Sequence, residues 1–134
     1  MSFNRLMTAA AALLGLSGVI LAAVGAHLLG GDDNPAAQRS WASASLIHLV
    51  HAPALLALSV LLRQRTSTWY RAAGPLMFAG VVLFSGGIYW QQTASPAAVA
   101  NIPPMGGFAL ILSWLCIALG ALRESGYERD NKRR

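Results

Sequence analysis

From Trp41 to Leu62 the chain reads WASASLIHLVHAPALLALSVLL, a stretch that contains no Asp, Glu, Lys or Arg. A helix needs roughly 20 apolar residues to cross the hydrocarbon core of a bilayer. Three further stretches meet or nearly meet that length, namely Leu6–Leu29, Ala72–Trp90 and Ile102–Leu122. Inside lipid only hydrogen-bonded helices or closed barrels satisfy the backbone, and stretches of this length suit helices. The sequence therefore predicts an all-α integral membrane protein, a single four-helix bundle over residues 1–134 with short connections and a charged tail at 123–134.

The amino-acid composition agrees with a membrane location. Apolar residues make up 55% of the chain and charged residues 11%, whereas about a quarter of the residues in a soluble domain are charged. The net charge of +5 does not indicate a nucleic-acid surface, because the cations lie at the ends of the predicted helices. That position suits lipid headgroups. We therefore expect the lipid bilayer, and not nucleic acid, to be the principal partner.

The cations also predict an orientation. They lie at the N-terminus, in the second connection and in the C-terminal tail: Arg5, Arg63, Arg65, Arg71, Arg123, Arg129, Lys132, Arg133 and Arg134. The first connection holds Arg39 beside Asp32 and Asp33, and the third, Gln91–Asn101, holds no cation. Because Lys and Arg are enriched on the cytoplasmic side, both termini and the second connection are expected in the cytoplasm. The predicted location is the cell inner (plasma) membrane.

Small residues recur at regular spacing along the predicted helices. In the first helix Ala11, Gly15, Gly18, Ala22 and Gly25 alternate steps of four and three residues. Such stripes let backbones approach closely where lipid provides no hydrophobic drive to association. The glycines expected at helix contacts are Gly15, Gly18, Gly25, Gly86, Gly87, Gly106 and Gly107. Packing within the chain is favoured, and a homo-oligomer through one of these stripes is the alternative.

Three histidines are the candidate functional residues. His48 and His51 lie three residues apart on one face of the second helix, near the middle of the membrane, and His27 lies near the outer end of the first. Ionisable residues inside a membrane are functional candidates by default. The predicted polar cluster consists of His27, His48, His51, Ser85 and Tyr89.

This cluster has three interpretations. Neutral histidines commonly form hydrogen bonds between transmembrane helices, and this structural role is favoured. Imidazoles also bind metals, so His27, His48 and His51 are candidate ligands for a transition metal or a haem. The third interpretation is a path for protons or a small molecule.

The sequence does not predict an enzyme. No Asp or Glu lies at depth in the predicted helices to act as a general acid or base. The serines lack a matched His–carboxylate pair, and no glycine-rich phosphate loop of suitable spacing occurs.

Several short motifs occur here in an order and spacing similar to those of a known family. These motifs are Gly25-Ala26-His27; Trp41 with Ala44, His48 and His51-Ala52; Leu83 to Tyr89; and Pro104 to Phe108 with Trp114. In this order and spacing the chain resembles the domain-of-unknown-function 423 family, small bacterial inner-membrane proteins similar to the mitochondrial transmembrane protein 256. The resemblance covers about Gly15 to Leu122. It implies a four-helix inner-membrane protein, and no established activity comes with it.

The leading prediction is a multi-pass inner-membrane protein that is not an enzyme, has no assigned cofactor and acts as a small accessory or interaction protein. The alternative is a membrane module that binds a metal, a haem or a quinone through the intramembrane histidines. A transporter of protons or small solutes is less favoured, because four short helices carry no acidic residue at depth.

Overall fold

The computed structural model describes residues 2–28, 34–65, 67–93 and 101–131, with the backbone alone for residue 28 and residues 124–131. Its four helices are α1 (Phe3–Leu28), α2 (Pro35–Gln64), α3 (Thr68–Thr93) and α4 (Ile102–Asn131). Each contains a segment that is long and apolar enough to cross a bilayer: Phe3–His27, Pro35–Gln64, Thr68–Thr93 and Ile102–Arg123. The all-α fold with four membrane-length helices is therefore confirmed.

The helices extend beyond the limits of the apolar stretches. Helix α2 begins at Pro35 and not at Trp41, because the side chain of Asn34 accepts hydrogen bonds from the backbone nitrogens of Ala36 and Ala37, both at 3.2 Å. Proline fits the first helical position because its missing N–H would have no helical partner there. Apolar length marks the part of a helix that lies in lipid, whereas capping decides where the helix begins.

The other boundaries differ in the same direction. Helix α1 begins at Phe3 and α3 runs from Thr68 to Thr93, so both include polar residues outside the predicted stretches. The predicted charged tail is helical as far as Asn131. The predicted end of the first helix at Leu29 lies outside the described residues.

The helices pack in chain order. Helix α1 contacts α2, α2 contacts α3, and α3 contacts α4, while α1 also touches α3 over a small area. Among the described helices, the backbone of α4 approaches α3 alone. Helices α2 and α3 therefore form the centre of the molecule, and α1 and α4 lie on its outside. The principal core consists of apolar side chains from all four helices, including Leu14, Leu55, Met77, Val81 and Leu110.

One end of the bundle carries most of the described cations. The guanidinium of Arg71 lies 5.1 Å from the centre of the Phe3 ring, and that of Arg123 lies 5.0 Å from the centre of the Trp69 ring. A cation over an aromatic face is attracted by the ring electrons. The antiparallel order of the helices brings to this cationic end Arg5, Arg63, Arg65, Arg71 and Arg123.

Glycine allows the closest helix contacts. A Cβ atom at Gly106 of α4 would lie 2.2 Å from the backbone nitrogen of Phe84 and 2.8 Å from the carbonyl oxygen of Gly80. A Cβ atom at Gly25 of α1 would lie 2.0 Å from Nε1 of Trp41. Neither position has room for a side chain, so α3 approaches α4, and Trp41 approaches α1, more closely than alanine would permit.

The remaining predicted contact glycines differ in how tightly they are packed. Cβ atoms at Gly18 and Gly87 would lie 2.9 Å from Leu49 and 3.0 Å from Pro103, whereas the nearest atoms to Gly15 and Gly107 are at 3.9 and 3.8 Å. Gly86 faces outward, and a Cβ atom there would meet no described atom within 4 Å. Consecutive residues of a helix point about 100° apart, so Gly87 faces α4 and Gly86 does not.

The Gly106→Ala variant tests the α3–α4 contact. Because the added methyl group meets backbone atoms that cannot rotate away, we expect the free energy of unfolding to fall by about 1–3 kcal/mol. Gly86→Ala is the matched control, and it is expected to be neutral or slightly stabilising, since alanine favours helix by up to about 1 kcal/mol. Equilibrium unfolding in detergent micelles measures both. Equal effects of the two variants would contradict the close approach at Gly106.

Candidate functional site

The predicted polar cluster divides in the structure. His48 and His51 are each only 6% exposed, and Ser85 and Tyr89 are buried beside them between α2 and α3. His27 lies in the last turn of α1 with its side chain exposed. The structure thus brings four of the five predicted residues into the interior and leaves His27 outside.

His51 joins α2 to α4. Its Nδ1 lies 2.8 Å from the carbonyl oxygen of Ile47, and its Nε2 lies 3.1 Å from Nε1 of Trp114. A carbonyl oxygen can only accept a hydrogen bond and an indole N–H can only donate one. His51 is therefore neutral, carries its proton on Nδ1 and accepts from Trp114 on Nε2. Both ring nitrogens are used, so no lone pair is left for a metal in this arrangement.

His48 joins α2 to α1 and is satisfied on one side only. Its Nε2 lies 3.3 Å from Oγ of Ser17, and the Ser17 hydroxyl donates to the carbonyl oxygen of Leu13 at 2.8 Å. Because a hydroxyl has one hydrogen to donate, Nε2 of His48 is the donor to Ser17. The opposite nitrogen, Nδ1, is then an unprotonated acceptor, and it is buried with no hydrogen-bonding partner among the described residues.

Two hydrogen bonds join α2 to α3 in the same region. The Ser85 hydroxyl donates to the carbonyl oxygen of Ala44 at 2.8 Å, and the Tyr89 hydroxyl donates to Oγ of Ser45 at 3.3 Å. The Tyr89 ring packs on Trp41 with the ring centres 4.7 Å apart. Ser85 and Tyr89 therefore hold α3 against the part of α2 that carries His48.

Several members of the network were not predicted. They are Ser17, Ser45, Ser113 and Trp114, together with the indole of Trp41, which donates to the carbonyl oxygen of Leu21 at 2.9 Å. Ser113 donates to the carbonyl oxygen of Ala73 at 2.9 Å and so joins α4 to α3. Ser45 shares a helix face with His48, and this pattern could have identified it. The roles of Ser17 and Trp114 depend on which helices are neighbours, which no local pattern gives.

The arrangement is suited to holding helices together. An interhelical hydrogen bond in a membrane contributes about 0.6 kcal/mol on average, so these bonds fix helix positions more than they add stability. The residues that the structure describes contain no group of three His, Cys, Asp or Glu side chains placed to hold a metal ion. Ligation by His27, His48 and His51 together has no geometric support here and stays a hypothesis.

Comparison with known proteins identifies the family of the chain. The sequence pattern of a family described as protein of unknown function (DUF423) matches residues 21–107, which include His27, His48, His51, Ser85 and Tyr89. The chain belongs to this family. It is 34% identical over 113 residues to the UPF0382 membrane protein YwdK of Bacillus subtilis, covering 84% of this chain and 92% of the relative. It is 31% identical over 121 residues to the UPF0382 inner membrane protein YgdD of Escherichia coli K12, covering 90% and 92%.

The names of these relatives indicate the cellular location of the protein. The relatives span nearly the whole chain and are named as membrane or inner membrane proteins, and all four helices can cross a bilayer. The protein is therefore a multi-pass protein of the cell inner membrane, and lipid contacts its outer surface. The names of the relatives state no activity. No solved structure matches the chain.

The bond between Trp114 and His51 is open to a direct test. Trp114→Phe leaves a buried acceptor without its donor, so we expect the free energy of unfolding to fall by about 1 kcal/mol. Trp90→Phe, at an exposed position, is the control and is expected to change it by less than about 0.5 kcal/mol. In a His51→Leu background, Trp114→Phe should cost about 0.6 kcal/mol less. An equal cost in both backgrounds would show that the two side chains are not coupled.

Proposed function

We propose that the protein is a non-enzymatic accessory protein of the inner membrane, which acts by associating with another membrane protein through α4. The observation that carries this proposal is the isolation of α4 at the edge of the bundle. Among the described helices its backbone approaches α3 alone, and Trp114 bonds to His51 of α2, so most of its circumference is left uncovered.

The interior supports a role without chemistry. Both nitrogens of His51, and the hydroxyls of Ser85 and Ser113, are engaged in hydrogen bonds with other parts of the chain. A catalytic group needs a free lone pair or an accessible proton next to a substrate. Polar groups that bond to one another across helices hold those helices in position.

The uncovered face of α4 is distinct in composition. Gly106, Leu110 and Ser113 face α3. The opposite face carries, at steps of three, four and seven residues, the exposed side chains Met105, Phe108, Leu112, Leu115 and Leu122. Large exposed side chains on the outer face of α1 are Leu13, Leu16, Val19 and Ile20. Met and aromatic residues are enriched in the interfaces of soluble proteins, and Met105 and Phe108 give the α4 face a composition that these α1 residues lack.

A second candidate, cofactor binding by the histidines, has one supporting observation. Nδ1 of His48 is a buried acceptor without a described partner, whereas His51 has no free nitrogen. One imidazole nitrogen is a smaller donor set than the three protein ligands of an ordinary zinc site. Association through α4 is therefore the better supported function.

Photo-crosslinking in native membranes tests the association. A benzoylphenylalanine at Phe108 or Leu115 is expected to form an adduct with a membrane protein, because these side chains point away from α3. The same probe at Leu13 or Leu16, equally exposed on α1, is the matched control and is expected to give lipid adducts. Mass spectrometry identifies the adducts.

Two outcomes have a clear meaning. An adduct between two copies of this chain at the α4 positions alone makes the partner a second copy and retains the association surface. Lipid adducts alone at both faces would contradict the proposal.

We further propose that the cationic end faces the cytoplasm. Arginine is enriched on that side of inner-membrane proteins, and Arg71 and Arg123 from different helices meet at this end of the bundle. The described cation on the first turns of α2, at the other end, is Arg39.

Reporter fusions test this orientation. Green fluorescent protein at either terminus is expected to fluoresce, and alkaline phosphatase at either terminus is expected to be inactive, since both ends lie on the cationic side. Alkaline phosphatase inserted after Thr93 is the control and is expected to be active. Opposite behaviour of the two termini would disprove the orientation.

A further inference from the structure

A cavity of about 320 Å³ lies between α1 and α2, at the end of the bundle opposite the cationic end. It is lined by Ala22, Gly25, Ala26, Gln38, Trp41, Ala42 and Ser45. Ligand pockets in proteins span about 300–1,000 Å³, so this volume suits a ring or a short segment of a larger molecule. None of these described lining residues is an Asp, Glu, Lys or Arg.

The wall formed by Trp41 is held in place. Its indole N–H donates to the carbonyl oxygen of Leu21 at 2.9 Å, its ring packs on Tyr89, and it lies directly against Gly25. Trp41 is 5% exposed. The opposite lining consists of the small residues Ala22, Gly25 and Ala26 of α1, so these two walls keep their shape before any ligand enters.

Ser45 supplies a buried polar group on the cavity wall. It is 9% exposed, and its oxygen accepts the hydrogen bond of the Tyr89 hydroxyl. Because that bond uses the proton of Tyr89, the hydrogen of Ser45 is left to donate. Ser45 lies seven residues from Gln38, which places it roughly 10 Å further along the helix.

We propose that this cavity binds the uncharged part of a lipid-soluble molecule, whose carbonyl oxygen accepts a hydrogen bond from Ser45. A charged ligand would find no counter-ion among the lining residues, and burial of an unpaired charge is costly. An apolar ligand without an acceptor would leave the proton of the Ser45 hydroxyl without a hydrogen bond. Two membrane components have the required carbonyl: an isoprenoid quinone, through its ring, and a glycerophospholipid, through its ester.

The cavity is independent of the proposed association surface. Its residues belong to α1 and α2, whereas the association surface lies on α4. Loss of ligand binding and loss of association are therefore separate results.

Binding to delipidated protein tests the proposal. The probes are a ubiquinone with one isoprene unit and dioleoylphosphatidylethanolamine, each titrated in detergent and followed by native mass spectrometry. Ala42→Phe fills the cavity without removing a hydrogen bond, and we expect it to lower the affinity at least tenfold. Ala57→Phe, at an exposed position of α2 outside the cavity, is the matched control and is expected to bind as the wild type does.

The donor is tested separately. Ser45→Ala removes the hydroxyl and leaves the cavity open, so we expect a three- to tenfold loss of affinity. Ser43→Ala, at an exposed position, is its control.

Retention of one probe in preference to the other identifies the source of the carbonyl, and either result supports the site. No 1:1 complex with either probe, or equal binding to wild type and Ala42→Phe, would overturn the proposal. Because Ala42→Phe does not touch the Tyr89–Ser45 bond, this test holds even if Ser45→Ala fails to fold.

Discussion

The structure depends on the absence of hydrogen-bonding solvent in the hydrocarbon core. Every backbone amide there has to bond within its own helix, and many buried polar side chains bond to a neighbouring one. This second set of bonds gives the helices their relative positions. Ser85 reaches the carbonyl oxygen of Ala44, and Ser113 reaches that of Ala73. Each bond is weak, but each forms at only one rotation of the two helices, so together they select one packing.

Close approach and hydrogen bonding act together. The Ser113 hydroxyl can reach the backbone of α3 because Gly106 and Gly80, which have no side chains, allow α4 to lie close to that backbone. On the other side, Gly25 makes room for Trp41, whose indole then reaches Leu21. Small residues therefore influence hydrogen bonding, because they determine which backbone carbonyl oxygens lie within reach of a donor on the next helix.

The fold was more predictable from the sequence than the site. Apolar length identifies a membrane helix by itself, because the thickness of the bilayer sets it, but the start of α2 at Pro35 depends on the cap at Asn34. His48 and His51 share a helix face, yet one contacts α1 and the other α4. Gly86 and Gly87 read alike as a pair, yet only Gly87 contacts α4. Each of these outcomes depends on which helices are neighbours, and spacing within one helix does not determine that.

The polar interior is satisfied to different degrees on its two sides. Between α2 and α4, His51 and Trp114 use their full hydrogen-bonding capacity on each other and on Ile47, so this contact is complete without a ligand. On the α1 side, Nδ1 of His48 has no described partner, and the Ser45 hydroxyl has a proton left to donate beside a cavity. A hydrogen bond contributes about 0.5–1.5 kcal/mol, so a ligand that accepts one from Ser45 stabilises the fold as it binds. The cavity beside Ser45, about one helical turn before His48 on α2, is therefore the place in this bundle where a bound ligand adds a hydrogen bond.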